Sequence, residues 1–304
     1  MKRYTFIVNP EAGRGHGRKL LEPLRRELQA RKVEHQILVT RRSGEAVELA
    51  RNCFGATVVS VGGDGTLNEI VNGFREDGEA LGIIPAGSGN DFIKAVNNPK
   101  RLNDALDVVL AGRIRRVDVG VISCSAANPG PGTVETSDRS FLNGVGVGFD
   151  GAVAARMRTI KHLGGTAVYV VAVLQTLGRF KSPWFRTTID GVEANSRNLL
   201  IAIGNGCCAA GSFYLTPEAV VDDGLLDLCL IQDVSVGKIL RLMPFVMLGR
   251  HGWIREVSFQ KSREKILIES NESFAVHADG EVVGQGVNGV SITLRPRSLP
   301  LLTV

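Results

Sequence analysis

The chain of 304 residues is 44% hydrophobic and 22% charged, and its formal net charge is +5. This length favours two domains, the composition excludes global disorder, and the small basic excess alone indicates a soluble surface more than an anionic partner. No stretch reaches the roughly eighteen apolar residues of a membrane span, and the first ten residues lack the apolar core of a signal peptide, so the sequence predicts a cytoplasmic protein, peripheral to the membrane wherever it meets one.

The first 116 residues alternate short apolar strands with amphipathic helices. Strands are predicted over Tyr4–Val8, His35–Val39, 56–61 and 80–84, and helices over 19–31, 44–53, 68–74 and 102–111. This order is typical of an α/β domain with a doubly wound parallel sheet. Ligands of such sheets bind beyond the carboxyl ends of the strands, which directs attention to the turns that follow them.

After residue 116 the pattern changes to strands separated by turns that contain Gly, Asn and Asp. Strands are predicted over 117–122, 140–147, 185–189, 199–203, 225–231, 265–269, 274–278 and 290–294, and helices over 165–177 and 236–248. Residues 123–138 are rich in Ser, Pro, Gly and Thr and predict a long hairpin loop. The second part of the chain is therefore predicted to be an antiparallel β-sandwich.

Three Gly-rich turns follow strands of the first domain. The first, NPEAGRGHG at 9–17, lacks the spacing of a Walker phosphate loop. It also lacks the third glycine of a dinucleotide-binding turn, where Arg18 stands. Alone, this turn predicts little more than a tight connection.

The second and third turns, GGDGT at 62–66 and PAGSGNDF at 85–92, each join a buried strand to a helix. Glycines let backbone N–H groups approach phosphate oxygens, and a helix N-terminus favours negative charge. Thr66 and Ser88 add hydroxyl groups, and Asp64 can hold Mg²⁺ or attract a proton. Two such turns at successive strand ends predict a nucleotide-phosphate site.

These motifs resemble the diacylglycerol kinase catalytic domain superfamily, in particular the bacterial soluble lipid kinases related to diacylglycerol and sphingosine kinases. The similarity continues along the chain through GVGFD at 146–150, GNG at 204–206, PEAVVDDGLLD at 217–227 and DGE at 279–281. It therefore spans nearly the whole sequence.

The resemblance implies two domains with the active site in the cleft between them. The α/β nucleotide domain would cover 1–122, joined by the C-terminal tail 295–304, and the β-sandwich acceptor domain would cover 123–294. The implied activity is that of a lipid kinase, which uses ATP and Mg²⁺ to phosphorylate a lipid hydroxyl group.

The resemblance also assigns nucleotide-binding residues by position. The residues that would line ATP are Asn9, Thr40, Val61, Gly62, Gly63, Asp64, Gly65, Thr66, Leu67 and Ser88.

On the acceptor side, the resemblance places Glu281 as the general base that takes the proton of the lipid hydroxyl, with Asp222 orienting it. Asp64 competes for the role of base. The Val220 carbonyl, Asp223 and the Leu225 carbonyl would bind Mg²⁺ in the second domain, a set of oxygen ligands that suits a hard cation. Val220 stands where some relatives carry an acid, so only its carbonyl group can act as a ligand.

A lipid needs an apolar path, and the helices at 165–177 and 239–248 are candidate walls, although apolar helices of this kind more often pack on a sandwich. The expected partners are a lipid substrate and a peripheral membrane surface, and no nucleic acid. A second copy of the chain, in a homodimer, is a further partner to test.

Three other functions stay open from the motifs. An NAD kinase shares GGDGT, but PAGSGNDF and PEAVVDDGLLD argue against it. A non-catalytic lipid or nucleotide sensor would not need Asp64, Asp223 and Glu281 together. A dinucleotide-dependent dehydrogenase would need the third glycine that the first turn lacks.

Overall fold

A computed structural model describes residues 3–75, 79–157, 159–160, 166–178, 180–209 and 213–304. The chain forms two compact units. The first comprises Met1–Val117 with Arg297–Val304, and the second comprises Asp118–Pro296.

The first unit is a parallel sheet with helices on both faces. Its strands are β1 (Tyr4–Val8), β2 (His35–Val39), β3 (Thr57–Gly62) and β4 (Leu81–Pro85), in the order β4-β3-β1-β2. Its helices are α1 (Ala12–Ala30), α2 (Glu45–Arg51), α3 (Asp64–Gly73), α4 (Asp91–Ala95) and α5 (Leu102–Ala111). The C-terminal segment extends this sheet, because Leu301 pairs in parallel with Leu81 of β4.

The sequence of β1 explains why helices cover both faces. All five of its residues are buried, so neither face of the central strand meets solvent. Phe6 packs with Leu24 of α1 and Leu106 of α5 in one apolar core. α2 and α3 pack against each other, and α2 also contacts β1 while α3 contacts β3. The predicted doubly wound α/β fold is confirmed.

The second unit is a β-sandwich, and its described residues also form helices. Its strands are β5 (Ile114–Ser125, which begins in the first unit), β6 (Thr136–Phe141), β7 (Gly144–Gly148), β8 (Trp184–Ile189), β9 (Val192–Gly204), β10 (Leu226–Gln232), β11 (Val257–Ser262), β12 (Lys265–Ala278) and β13 (Glu281–Leu302, which ends in the first unit). Its helices are α6 (Phe149–Met157), α7 (Thr166–Leu177) and α8 (Val236–Met247). β9 and β12 each pair antiparallel with β7 and with β8. The sandwich predicted for this part of the chain is confirmed.

Several boundaries differ from the sequence prediction. The strand predicted over 140–147 is wrong as one element, because the chain breaks between β6 and β7. The strands predicted over 265–269 and 274–278 form one strand, β12, whose register shifts between Glu269 and Phe274. The helix predicted after the third Gly-rich turn is the short α4, whereas α6 and β11 are not predicted from the sequence. β11 pairs with β10, and four of its six residues are exposed, so it lacks an apolar alternation.

The helix predicted over 165–177 begins at a residue that lies outside the described part of the chain, and α7 is described from Thr166. In the ranges that the structure describes, no helix is long and apolar enough to cross a membrane.

Candidate functional site

The three Gly-rich turns predicted from the sequence meet in the first unit, and residues 9–17, 62–66 and 85–92 are called the glycine loops below. The Ala86 N–H donates to the Gly62 carbonyl at 2.7 Å. A methyl group on Gly87 would lie 2.5 Å from the Gly63 Cα, and one on Gly13 would lie 2.2 Å from the Ala86 carbonyl oxygen. Side chains at these positions would push the loops apart, so glycine is required for their contact.

Asn9 ties the first glycine loop to the second. Its Nδ2 donates to the Thr66 hydroxyl at 2.9 Å, and its Oδ1 accepts the Glu11 N–H at 3.0 Å. Residues Gly13, Arg14 and Gly15 all have left-handed backbone angles, so α1 becomes regular only after them. Asn9 and Thr66 are therefore held together, as the nucleotide assignment requires.

Thr40 follows β2 and is buried, with its N–H bonded to the Val8 carbonyl at 2.9 Å. Glu69, from α3, fixes the turn after it. The Glu69 carboxylate accepts the N–H groups of Gly44 at 2.9 Å and Ala46 at 3.2 Å, at the N-terminus of α2. A carboxylate there is favoured by the helix dipole. Glu69 is thus a positioning residue, and the role assignment from the sequence left it out.

Asp64 joins the second glycine loop to the third. Its Oδ1 accepts the Phe92 N–H at 3.2 Å, at the start of α4. Asn90 closes the third loop on itself, because its Oδ1 accepts the Gly87 N–H at 3.0 Å and its Nδ2 donates to the Gly87 carbonyl at 2.7 Å. Asp64 therefore ties the second glycine loop to the start of α4.

The residues that the resemblance assigns to nucleotide binding differ in their exposure to solvent. Ser88 is exposed at the tip of the third loop, and Gly63, Asp64 and Gly65 are partly exposed. The side chains of Val61, Thr66 and Leu67 are buried. Residues of this second group can offer a ligand little more than backbone atoms, with the Thr66 hydroxyl already engaged by Asn9.

In the second unit, Asp279, Gly280 and Glu281 form the turn between β12 and β13, called the acidic turn below. Asp279 has a left-handed φ of 49°, and its carboxylate clamps the break between β6 and β7. Its Oδ2 accepts the Leu142 N–H at 2.9 Å, and its Oδ1 accepts the N–H groups of Asn143 at 2.8 Å and Gly144 at 3.0 Å. This clamp is the reason that 140–147 is not one strand.

A buried pair supports the acidic turn from behind. His277 Nε2 lies 2.9 Å from Asp150 Oδ2, and the Gly280 N–H points to His277 Nδ1 at 3.3 Å. Burial lowers the pKa of His277, but the Asp150 carboxylate outweighs it and raises that pKa above its ordinary value. Asp150 is the last residue of GVGFD, which gives that motif a structural reason.

Glu281 ends the acidic turn with its carboxylate partly exposed and paired with the Arg139 guanidinium. Nothing in the sequence around Arg139 indicates this contact, because 142 positions separate the two residues.

Residues 220–225, called the 220–225 loop below, are anchored by the buried Asp118. The Asp118 N–H donates to the Val221 carbonyl at 2.7 Å, and the Gly224 N–H donates to Asp118 Oδ2 at 2.8 Å. Asp223 is exposed, and its Oδ1 accepts the Leu225 N–H at 3.0 Å.

The potential metal ligands in this loop are sparse. Val220 is exposed, and Asp222 is partly buried beside Asp223. Over the described ranges, no group of three or more His, Cys, Asp or Glu residues is arranged to hold a metal ion. A cation here would have one carboxylate, that of Asp223, and otherwise carbonyl or water oxygens.

A continuous chain of hydrogen bonds connects the acidic turn to the 220–225 loop. Asn205, from GNG, is fully buried, and its Nδ2 donates to the Leu142 carbonyl at 2.7 Å and to the Asp118 carbonyl at 3.1 Å. Leu142 is held in turn by Asp279, and Asp118 holds the loop. The network therefore connects the turn that carries Glu281 to the loop that carries Asp223. Holding this network together is the structural role of the GNG motif.

The second unit also contains an apolar cavity of about 80 Å³. Both helices predicted as lipid walls contribute to it, with Val173 from α7 and a stripe of α8. The other lining residues come from α6, from the strands, from the connection between β9 and β10 and from the segments that flank α8. Those of α8 are Ile239, Leu242, Met243 and Val246.

Two sequence families match the chain. Residues 3–122 match the "Diacylglycerol kinase catalytic domain", and residues 143–303 match the "YegS C-terminal NAD kinase beta sandwich-like domain".

Curated relatives match along most of their length. A protein of Staphylococcus saprophyticus named diacylglycerol kinase is 27% identical over 290 residues, covering 93% of this chain and 90% of that protein. A Staphylococcus aureus protein of the same name is 28% identical, with 93% and 87% covered.

Solved structures from Bacillus anthracis share the fold. One described as a diacylglycerol kinase has a TM-score of 0.71 at 22% identity, covering 100% of this chain and 97% of that one. Another from the same organism has a TM-score of 0.77 at 24% identity, with the same shares covered.

Proposed function

The chain belongs to the diacylglycerol kinase family in which a catalytic domain is joined to a YegS-type C-terminal domain, and we propose that it is a lipid kinase that transfers the γ-phosphate of ATP to the hydroxyl group of a diacylglycerol-like lipid. The observation that carries this proposal is the meeting of the three glycine loops. Gly13 lies against Ala86, and Gly63 lies against Gly87. Gly-rich loops between the ends of parallel strands and the N-termini of the helices that follow are the usual place where α/β sheets bind phosphate groups.

In this proposal the nucleotide contacts the glycine loops mainly through the backbone. Gly62, Gly63 and Gly65 let phosphate oxygens approach, and the exposed Ser88 hydroxyl donates to them. Asn9 and Thr40 follow the ends of β1 and β2 and form the sides of the nucleotide site. The side chains of Val61 and Leu67 are buried and hold the loop from below.

Mg²⁺ would be held at two places. Asp64 would bind the ion that accompanies ATP, as the carboxylate among the phosphate-binding glycines. The Val220 carbonyl, Asp223 and the Leu225 carbonyl would bind a second ion, and this set fits a hard cation because every donor is oxygen. When bound, Mg²⁺ neutralises the charge that develops on phosphate oxygens.

Buried hydrogen-bond acceptors without a partner, in the network that anchors the 220–225 loop, support this fit. Among the described residues, Asn143 Oδ1 and Asn205 Oδ1 are buried without a hydrogen-bond partner. Asn205 belongs to the network that holds the loop, through Asp118 and Leu142, and the Asn143 carbonyl accepts the Asn205 N–H at 2.9 Å. Buried acceptors of this kind are satisfied by water or by the hydration shell of an ion.

Glu281 would act as the general base. Its carboxylate takes the proton of the lipid hydroxyl as the hydroxyl oxygen bonds to the γ-phosphorus, and the bond from phosphorus to the oxygen of ADP breaks. Arg139 holds the carboxylate in one orientation, and Asp222 would help to orient it. The Asp279 clamp and the His277–Asp150 pair fix the turn that presents it.

The acyl chains would enter the apolar cavity between α7, α8 and the sandwich. Its lining is apolar except for Glu256, which pairs with Lys238 at 2.7 Å. We propose that the enzyme works in the cytoplasm as a peripheral protein, because its substrate lies in a bilayer.

Purified protein incubated with labelled ATP and Mg²⁺ tests the proposal on a panel of acceptors. The panel contains diacylglycerol, phosphatidylglycerol, a polyprenol, a long-chain base and NAD. Label in one lipid product, lost when Mg²⁺ is chelated, supports the proposal. Label in NAD alone identifies an NAD kinase, and binding of ATP with no labelled product identifies a sensor.

Gly63→Val is the matched loop variant, because its side chain would enter the contact with Gly87. We expect it to lose ATP binding by calorimetry while it remains folded, with an unfolding temperature a few degrees below that of the parent protein. Gly130→Val is the control, since no atom lies within 4 Å of a Cβ at Gly130.

A further inference from the structure

We propose that residues 236–255, called the docking segment below, form the surface by which this protein binds an anionic lipid bilayer. The segment consists of α8 and the turn that follows it. This inference rests on the proposed function, because a lipid acceptor is what requires the protein to work at a bilayer.

One face of α8 is occupied inside the protein and the other is not. Ile239, Leu242, Met243 and Val246 recur at helical spacing and line the apolar cavity. None of the twelve residues of α8 is fully buried. The helix therefore lies on the unit as a cover, with its outer side exposed.

The outer side carries large apolar side chains, in part from the turn after the helix. Leu248 is 67% exposed and Trp253 is 68% exposed, with Leu240 at 43% and Phe245 at 37%. Trp253 and Phe245 meet edge to face at 5.4 Å, and the Trp253 Nε1 donates to the Arg250 carbonyl at 2.9 Å. These contacts hold the two rings as one apolar ridge.

The turn that presents Trp253 is anchored from below, so the ridge has a rigid base. His251 is fully buried with Nε2 3.6 Å from Cys229 Sγ, and Ile254 is also buried. Burial lowers the pKa of His251, which keeps this anchor uncharged at neutral pH.

The charge of the docking segment selects the partner. It contains four basic residues, Lys238, Arg241, Arg250 and Arg255, and no acidic residue. Lys238 pairs with Glu256, and the three arginines are exposed. An apolar ridge with tryptophan, phenylalanine and leucine, flanked by arginines alone, has the composition of an interfacial helix on an anionic leaflet.

The two tryptophans of the chain allow a direct test, because Trp184 is exposed to a similar extent but lies on β8. Trp184→Phe leaves Trp253 as the only tryptophan, and Trp253→Phe leaves Trp184. With vesicles of phosphatidylcholine and phosphatidylglycerol, we expect the emission of Trp184→Phe to shift to the blue and to be quenched by brominated lipid. The emission of Trp253→Phe should not change. A shift in Trp253→Phe alone, or in neither variant, overturns the inference.

Vesicle flotation measures the size of each contribution. Trp253→Ser and Leu248→Ser should each lower the partition coefficient roughly tenfold, and Arg241→Ser and Arg250→Ser roughly fivefold each. The arginine effects should vanish on vesicles of phosphatidylcholine alone and weaken with salt. Trp184→Ser is the control and should partition like the parent protein.

Three outcomes separate this inference from the proposed function. Lost vesicle binding with unchanged phosphorylation of detergent-dispersed lipid supports both. Unchanged vesicle binding by Trp253→Ser and Leu248→Ser overturns the docking segment and leaves the kinase proposal standing. If the parent protein binds vesicles, the variants do not, and the parent protein phosphorylates no lipid, the docking segment is supported and the kinase proposal is overturned.

A second copy of the chain is the competing occupant of the ridge. Light scattering of the parent protein and of Trp253→Ser measures whether the chain forms a dimer through the ridge. A dimer that becomes a monomer in the variant, with unchanged vesicle binding, overturns the inference in favour of a subunit interface.

Discussion

The glycine loops of the first unit and the acidic turn of the second are built in different ways. The glycine loops are held by backbone contacts at close range, such as Ala86 N–H to the Gly62 carbonyl and Gly63 against Gly87. The acidic turn is held by side chains, and its clamp joins Asp279 to backbone groups more than 130 positions away in sequence.

This difference decides what a substitution does. A site made of backbone tolerates no added bulk, because atoms in contact have no room to move. A site held by carboxylate clamps tolerates bulk better but depends on charge, because an N–H that loses its carboxylate acceptor is left unpaired. The predictions below use this contrast.

The largest expected effect is at the proposed base. Glu281→Gln keeps the size of the side chain but cannot accept a proton, so kcat should fall roughly a hundred- to ten-thousand-fold. ATP affinity by calorimetry should change little, because the glycine loops are intact. Glu193→Gln, on an exposed position of β9, is the control. Near-normal turnover of Glu281→Gln would place the base elsewhere, and Asp64 would then be the first residue to test.

The second prediction compares two Asp-Gly turns of the second unit. Asp279 and Asp190 both have left-handed φ angles, and each carboxylate accepts three backbone N–H groups. Asn tolerates the same backbone, but its NH₂ group faces a donor, so Asp279→Asn should lower the free energy of unfolding by about 2 kcal/mol in urea titrations. Asp190→Asn should cost about 1 kcal/mol, because the turn is exposed.

We expect turnover to fall in Asp279→Asn and to stay unchanged in Asp190→Asn. Asp279 positions the turn that carries Glu281, whereas Asp190 holds Ser262 and the residues after it. A fall in kcat that is equal in both variants, at temperatures where both are folded, would show that the clamp acts through general stability.

The third prediction tests the backbone site. Gly87→Ala should weaken ATP binding more than Gly63→Ala, because the added carbon would lie 2.5 Å from the opposite Cα in one case and 3.0 Å in the other. We expect a roughly fivefold to hundredfold loss of affinity, equivalent to about 1–3 kcal/mol of binding free energy, because the added carbon displaces the loop backbone that would contact phosphate. Gly130→Ala is the control. Equal affinities for all three variants would separate the loop contact from nucleotide binding.

The sequence predicts the first site better than the second, for a physical reason. Glycine spacing after a strand is a local signal, so GGDGT and PAGSGNDF identify loops that the structure brings together. The clamps of Asp279, Asp118 and Asn205 depend on partners that only the folded sandwich brings near. Arg139 carries no local signal at all, although it pairs with Glu281.

The break between β6 and β7 shows the same limit. Residues 140–147 are predicted as one strand, although Asn143-Gly144, a pair typical of tight turns, lies in the middle of the segment. The carboxylate of Asp279 ends β6 by taking the N–H groups of Leu142 and Asn143, which a continuous ladder would have used. The Asn-Gly pair marks where the break lies, but the sequence does not show the distant acid that holds it.

The smallest expected effect is the pH dependence of folding stability at the Asp190 turn, which has no role in the proposed site. Burial acts to raise the pKa of Asp190, but the N–H groups of residues 263–265 and the Ser262 hydroxyl prevail and lower it to about 2 from an ordinary value of 3.8. Because the folded pKa is depressed, the stabilisation is present above pH 3.8 and is lost as the pH falls through 2. Discounted for solvent screening, this stabilisation amounts to about 1 kcal/mol.

Urea titrations at each pH test this dependence. The difference in unfolding free energy between the parent protein and Asp190→Asn should stay constant from neutral pH to 3.8 and become smaller below it. A gap that narrows already near neutral pH would mean that another titrating group, and not this carboxylate, sets the difference.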